Sequence, residues 1–257
     1  MKKVLQVGDI ANVAADLSEA LRLHSDWQPV SVDVARLRRQ ARLSQLADLP
    51  IRAARTRAMV RSAIIEEGPA VVHLHWARYA PFISTDGVPL VVHVHGSDVR
   101  SRTRNVSGRL VRRALSAADV TLVSTPDLLA DTPDHSTYLP NPVNVDLFTP
   151  SRSDPGATRS LSGPTRDPGR PPVVLIFARL VPIKGPAALL AAAAAIRSLD
   201  PRAKVLALGG GDLDHLAASA GIEVVPKRRR SELPELLRSV DVVIGQALYG
   251  GPAGRGC

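Results

Sequence analysis

The chain has 257 residues, is 45% hydrophobic and carries a formal net charge of +9 at pH 7. Such a composition excludes a disordered or fibrous chain, and the length allows one large or two modest domains with real cores. Cys257 is the only cysteine, so an internal disulfide framework is excluded and a reducing compartment is expected. Aromatic residues make up only 3%, which leaves the core to Val, Leu, Ile and Ala. The apolar run after Met1-Lys2-Lys3 is too short for a signal segment. The longest weakly apolar run, 186–196, is too short to span a bilayer. A soluble, cytoplasmic chain is expected.

In chain order, residues 3–7 read as a buried strand that ends at Gly8, and a helix is expected over 13–24. Gly8 lets backbone approach a ligand closely, but no complete G-x-G-x-x-G fingerprint follows, so a dinucleotide oxidoreductase gains no support. Residues 28–34 alternate like a second strand. From 34 to 62 there are eight arginines and one aspartate, spread over two amphipathic helical stretches broken at Pro50. Leu37, Leu43, Leu46 and Leu49, then Ile51, Met59, Val60 and Ile64, are expected to form the apolar sides. Such a basic pair suits either a solvated surface or an anionic membrane or nucleic acid. No zinc-finger spacing or aromatic RNA-binding signature is present, so no specific nucleic acid is expected.

Two similar strands follow, Val71-Val72-His73-Leu74-His75-Trp76 and Val91-Val92-His93-Val94-His95-Gly96. Each puts two histidines on one strand face. H-x-H at a strand end is a metal-ligand arrangement, which raises a metal-dependent hydrolase. His24, His135 and His215 bring no acidic partners at ligand spacing. His73 and His93 are therefore expected to be satisfied strand histidines. His95 stands apart because Gly96-Ser97-Asp98 follows at once, adding a close-approach glycine and two polar groups at a strand end. A helix over 107–117, a strand over 119–123 and a short helix after Ser124-Thr125-Pro126 come next. Residues 138–150, with Asn141, read as an extended connector.

Residues 151–172 are rich in Ser, Pro, Gly and Arg, and 151–171 is the expected linker between domains 1–150 and 172–257. Strand 173–177 leads into Ala178-Arg179-Leu180-Val181-Pro182-Ile183-Lys184-Gly185 and a helix over 187–199. A helix N-terminus with free N–H groups, an Arg fork and a Lys suits a diphosphate. Strand 203–208, the turn Gly209-Gly210-Gly211, helix 213–220, strand 222–225, helix 232–238 and strand 240–244 complete a second alternating β/α series. Asp212-Leu213-Asp214 is expected to cap the helix.

Four motifs in this order resemble the family 4 glycosyltransferases. They are His95-Gly96-Ser97-Asp98, the connector Pro140-Asn141-Pro142-Val143 through Asp146-Leu147-Phe148, the Arg179-Leu180/Lys184-Gly185 loop, and Leu208-Gly209-Gly210-Gly211. Pro142 and Ala178 stand where that family usually has Gly. The resemblance implies an α/β protein of GT-B type, two Rossmann-like doubly wound domains facing across a cleft. It implies retaining transfer of a hexosyl group from a nucleotide-diphosphate sugar to an unknown sugar or lipid-linked acceptor, the lipid-linked form being hinted at by the basic helices over 34–62. The reaction is expected in the cytoplasm or at the inner face of the membrane.

By the same resemblance, Arg179 and Lys184 hold the donor diphosphate, with Gly8 opposite. His95 acts at the reacting centre. Gly96, Ser97, Asp98, Asn141, Gly209 and Gly210 line the donor or acceptor pocket. No metal or other cofactor is expected. The family's E-x7-E segment has no counterpart, since no acidic residue follows Asp241. The second domain is therefore expected to be incomplete, the chain a truncated product, and its transfer impaired. The alternative is a non-catalytic remnant that binds anionic membrane or nucleic acid through 34–62.

Overall fold

The computed structural model describes residues 1–34, 49–96, 98–99, 106–149 and 169–245. The first basic stretch, Ser97, the arginines at 100, 102 and 104, residues 150–168 and the tail from 246 lie outside those residues. The chain divides into two units, Met1–Val143 and Asn144–Cys257.

In the first unit, β1 (Lys2–Val7), α1 (Val13–His24), β2 (Trp27–Val32), α2 (Leu49–Glu67), β3 (Val71–His75), β4 (Leu90–Val94), α3 (Val106–Ser116), β5 (Val120–Val123) and β6 (Thr137–Tyr138) follow one another. The strands form one parallel sheet in the order β2-β1-β3-β4-β5-β6. β1 and β3 are neighbours although β2 lies between them in sequence, so the direction of winding reverses there. Crevices outside the strand C-termini at such a reversal are where open α/β sheets take ligands.

Strand alternation gives this sheet two unlike faces. Leu5, Val7, Val72, Leu74, Val92 and Val94 enter an apolar core with Val60 and Ile64 of α2. The intervening positions are Gln6, His73, His75 and His93, all buried. The pairings Gln6 with His73 and His75 with His93 set these polar residues side by side.

The expected apolar side of α2 is narrower than the sequence implies. Thr56, Val60 and Ile64 are buried at four-residue spacing, whereas Ile51 and Met59 are exposed. At 3.6 residues per turn, Ile51 lies about two and a half turns from Val60 and so on the opposite side. Pro50 stands in the first turn of α2, where its missing N–H costs no helix bond. A short strand, β6, and a 3-10 turn, Ala77–Phe82, occur where no element is expected from the sequence.

The second unit contains β7 (Val173–Ile176), α4 (Pro186–Leu199), β8 (Lys204–Leu208), α5 (Asp214–Ser219), β9 (Glu223–Val225), α6 (Leu233–Arg238) and β10 (Val242–Ile244). Its parallel sheet runs β10-β7-β8-β9, with the reversal between β7 and β10. Val174, Ile176, Val205 and Ala207 pack with Leu189 and Ala193 of α4, and Leu175, Leu206 and Val225 form the core of the other face with Leu236 and Leu237 of α6. The connector's end belongs to this unit. The Asn144 side chain accepts the Leu147 N–H at 2.9 Å, and Arg238 donates to the Thr149 carbonyl at 2.9 Å. No helix among the described residues is long and apolar enough to cross a membrane.

Candidate functional site

Two strand ends carry the candidate residues, one in each unit. In the second unit β7 runs out at the winding reversal into the loop that holds Arg179 and Lys184. Leu180 is fully buried and anchors that loop, its carbonyl accepting the Leu213 N–H at 3.0 Å. Arg179, one residue earlier, is exposed, and no described residue pairs with its side chain. A 3-10 turn, Pro182–Lys184, brings Lys184 to the foot of α4. Gly185 occupies the N-cap at φ 69° with no side-chain cap bond, and Pro186 is the first residue of α4. The first-turn N–H groups of α4 therefore have no side-chain acceptor at the cap, and an anion is favoured there.

Gly209, Gly210 and Gly211 close the next strand end. A Cβ at Gly211 would lie 2.5 Å from the Leu180 carbonyl oxygen, and one at Gly209 would lie 2.8 Å from that of Val225. The glycines thus let the loops after β7, β8 and β9 pack backbone to backbone. The side chain of Asp214 accepts from Gly210 N at 2.7 Å and from Gly211 N at 3.1 Å. The expected helix cap is therefore not what this acidic pair supplies. Leu213 is the N-cap of α5 and makes no side-chain cap bond, while Asp214 reaches backwards to hold the glycine turn.

In the first unit, β1 ends at Gly8, which is buried with φ at +74°. A Cβ there would meet Val34 at 3.0 Å and the His75 carbonyl at 3.3 Å. What the missing side chain makes room for is the end of β3. Ala11 and Asn12 follow with φ of 54° and 64°, a strained pair in the turn before α1. Asp9 receives the Ala14 N–H at 3.1 Å and starts that helix.

Past β4, the Asp98 carboxylate is buried. Its oxygens accept the Ala77 N–H at 3.0 Å and the His95 N–H at 3.2 and 3.3 Å. Burial pushes its pKa up, and the backbone donors at Ala77, Asp98, His95 and Gly96 pull against that shift. Asp98 ties the turn after β3 to the loop after β4, with Gly96 at φ 101° and Trp76 at φ 102° as the bends. Asn141 is exposed on the connector, and Ser97 lies outside the described residues.

The four strand histidines meet on one face of the sheet. Ring centroids are 4.3 Å apart for His73–His75 and for His93–His95, 5.6 Å for His73–His93 and for His75–His95, and 5.7 Å for His75–His93. His75 Nδ1 lies 3.4 Å from His95 Nε2, and His75 Nε2 lies 2.7 Å from Gln6 Oε1. His73 Nε2 and both nitrogens of His93 are buried without a hydrogen-bond partner. The expectation that His73 and His93 are satisfied strand histidines is thus overturned. Residues paired across β3 and β4 present imidazoles to one another, and imidazoles of like tautomer cannot all donate and accept in that array.

Burial, with the neighbouring His93 and His95, pulls the pKa of His73 down to about 3. Burial likewise lowers His75 far below its ordinary value. It takes His93 down to about 4, where the Leu139 backbone opposes the shift without meeting hydrogen-bond geometry. All three rings are neutral at pH 7. Sequence reading missed the array because it weighed each H-x-H separately. The signal was two such pairs on successive strands of a parallel sheet.

No family model matches the chain and no curated protein matches it. Solved structures do. A sucrose-phosphate synthase from Thermosynechococcus elongatus superposes with a TM-score of 0.66 at 16% identity, over 95% of this chain and 75% of that one. Anabaena HepE, in complex with UDP and glucose, gives 0.62 at 15%, over 95% and 73%. A UDP-GlcNAc 2-epimerase from Neisseria meningitidis, bound to UDP-GlcNAc, gives 0.57 at 12%, over 95% and 77%. The fold is α/β of the GT-B type, built from two Rossmann-like units.

Proposed function

We propose that the chain is a glycosyltransferase of the family 4 kind, taking a hexosyl group from a nucleotide-diphosphate sugar with retention. The observation that carries this reading is the β7–α4 loop. It sets the half-buried Lys184, the first-turn N–H groups of α4 and an exposed Arg179, whose side chain has no partner among the described residues, at the winding reversal of a parallel sheet. A diphosphate matches that set, with its charge met by a bidentate fork, a point charge and aligned dipoles. As the bond to the sugar breaks, charge builds on the leaving nucleotide, and pre-placed cations stabilise that state more than the ground state. In this reading they replace a metal ion, so transfer needs none.

His95 acts on the sugar or acceptor, held in place by the bond from its backbone N–H to Asp98. Gly8 takes part in binding the donor diphosphate, and Gly96, Asn141, Gly209 and Gly210 contact the donor or the acceptor. The acceptor is a sugar or lipid-linked sugar, met in the cytoplasm or at the inner membrane face. A groove of about 490 Å³ supports the lipid-linked form. It lies between α2 and the 77–82 turn and combines Arg57 and Arg61 with Ala54, Ala58, Pro81 and Phe82.

Calorimetric titration of UDP, GDP and ADP into the purified chain tests the reading. One of them is expected to bind, and the Arg179→Ala/Lys184→Ala double variant to bind it at least about 100-fold more weakly, each charged hydrogen bond being worth about 1.5–3 kcal/mol. Binding unchanged in the double variant, or no binding of any of the three, would sink the proposal. Salt-sensitive sedimentation with anionic vesicles in the absence of nucleotide binding would favour the non-catalytic alternative instead.

A further inference from the structure

The polar face of the first sheet is not explained by sugar transfer. Three neighbouring positions in its interior, His73 and His75 on β3 and His93 on β4, are histidine where the opposite face has Val and Leu. Their exposures are 6%, 0% and 0%. A buried polar atom without a partner costs about 1–3 kcal/mol. Here His73 Nε2, His93 Nδ1 and His93 Nε2 all stand that way. Several such atoms in one place are the signature of a group that belongs among them.

We infer that His73, His75 and His93 form a binding site for one divalent transition-metal ion of the zinc class. Each ring offers one nitrogen, and the three chosen atoms lie within 4.8 Å of one another. Zinc–imidazole bonds of about 2.0–2.1 Å in tetrahedral geometry put ligand nitrogens about 3.3 Å apart. Binding would draw these nitrogens together by up to about 1.5 Å, through ring rotation about χ1 and χ2. Imidazole nitrogen suits zinc, copper and nickel, whereas calcium and magnesium take six or more oxygen ligands and this cluster offers imidazole.

The surroundings fit a ligand set. Gln6 Oε1 accepts from His75 Nε2 at 2.7 Å, so the proton of that ring sits on Nε2. The lone pair on Nδ1 is left for the metal. An outer-shell acceptor of this kind is how metal-bound histidines are oriented. His95 Nε2, 3.4 Å from His75 Nδ1, is placed to become a fourth ligand or to meet a bound water. The carboxyl of Asp98, bonded to the His95 N–H, fixes the loop beside the site. The metal would staple β3 to β4 directly beneath the His95–Asp98 loop. It uses no cation of the β7–α4 loop, and its three histidine ligands have no part in the transferase reading.

The test uses the untagged full chain, stripped with chelator and dialysed against Zn²⁺. One zinc per chain is expected by elemental analysis, with X-ray absorption showing three or four imidazole nitrogens at about 2.0 Å. Substituted Co²⁺ should give the intense visible bands of a tetrahedral site. In competition with a chromophoric chelator, His93→Gln is expected to lower zinc affinity by at least about 100-fold. Gln6→Ala should lower it by about 10- to 100-fold, as loss of an outer-shell partner does. Triple substitution of His24, His135 and His215 by Gln should leave it unchanged. Absence of stoichiometric zinc in the wild type, fewer than three imidazoles in its absorption spectrum, or loss of zinc in that triple variant would overturn the assignment. The wild-type spectra decide the matter even if His93→Gln does not fold.

Discussion

The two strand ends that carry polar residues handle them in opposite ways. In the second unit Arg179 stands in water and the glycines beside it let three loops close on one another. In the first unit the histidines lie inside the sheet face and are neutral, while a buried carboxylate, Asp98, holds the loops together. One end keeps its charge by staying exposed, where an incoming anion is the partner. The other has given up its charge to burial and gathered nitrogens that a proton cannot easily reach. An exposed cationic loop favours a ligand that comes and goes, whereas a buried neutral cluster favours a tenant that stays.

Two aspartates sharpen that contrast most. Asp98 and Asp214 both accept backbone N–H groups of strand-end loops, but Asp98 is buried and the bonds of Asp214 are at or near the surface. Asp98→Ala orphans the Ala77 and His95 N–H groups and should cost about 2–6 kcal/mol, at about 1–3 kcal/mol for each orphaned donor. Asp214→Ala leaves its donors to water and should cost about 1 kcal/mol. Urea unfolding of both variants measures the difference, and equal losses would show that burial is not what separates the two ends.

Gly211→Ala probes the second end alone. Its Cβ would press on the backbone of Leu180 at 2.5–2.8 Å, and overpacking of that kind costs about 1–3 kcal/mol. The same shift should move the Arg179 loop, so nucleotide affinity is expected to fall together with the urea midpoint. A stable variant with normal affinity would mean that the loop spacing is not set by this contact.

The remaining expectation is a pH dependence of stability, and it belongs to the first end. The histidine pKa values are lowered by folding from 6.5, to about 3 for His73 and about 4 for His93. Above pH 6.5 both states are neutral and these rings add no slope. As pH falls from 6.5 towards 4 the unfolded chain takes up protons that the folded chain refuses, so stability is lost. Each ring contributes up to about 1.4 kcal/mol per pH unit. The metal-free chain should show this decline in its thermal midpoint, and His73→Phe should reduce it. A flat profile over that range would place protons on the cluster in the folded state.

Much of the fold was legible in the sequence because its elements are marked locally. The helix read at 13–24 is α1 without change, and each strand read from an apolar run recurs within a few residues. The Arg179–Lys184 loop was legible too, since a strand, two cations and a helix start follow one another in sequence. Less legible were the buried side of α2 and the work of Asp98, Asp214 and Gly8. Asp98 reads as a pocket residue from its place beside His95, yet its oxygens are occupied by the backbone of Ala77, twenty-one residues away.

The sequence by itself determined that this is an alternating α/β chain of two units, because hydrophobic period and turn residues act over short stretches. It also determined which side chains can carry charge or bind an anion. Only the tertiary structure decided which of them keep that charge. Burial is a property of what the neighbouring strands bring, and it was the pairing of β3 with β4 that turned two separate H-x-H pairs into one enclosed group of imidazoles.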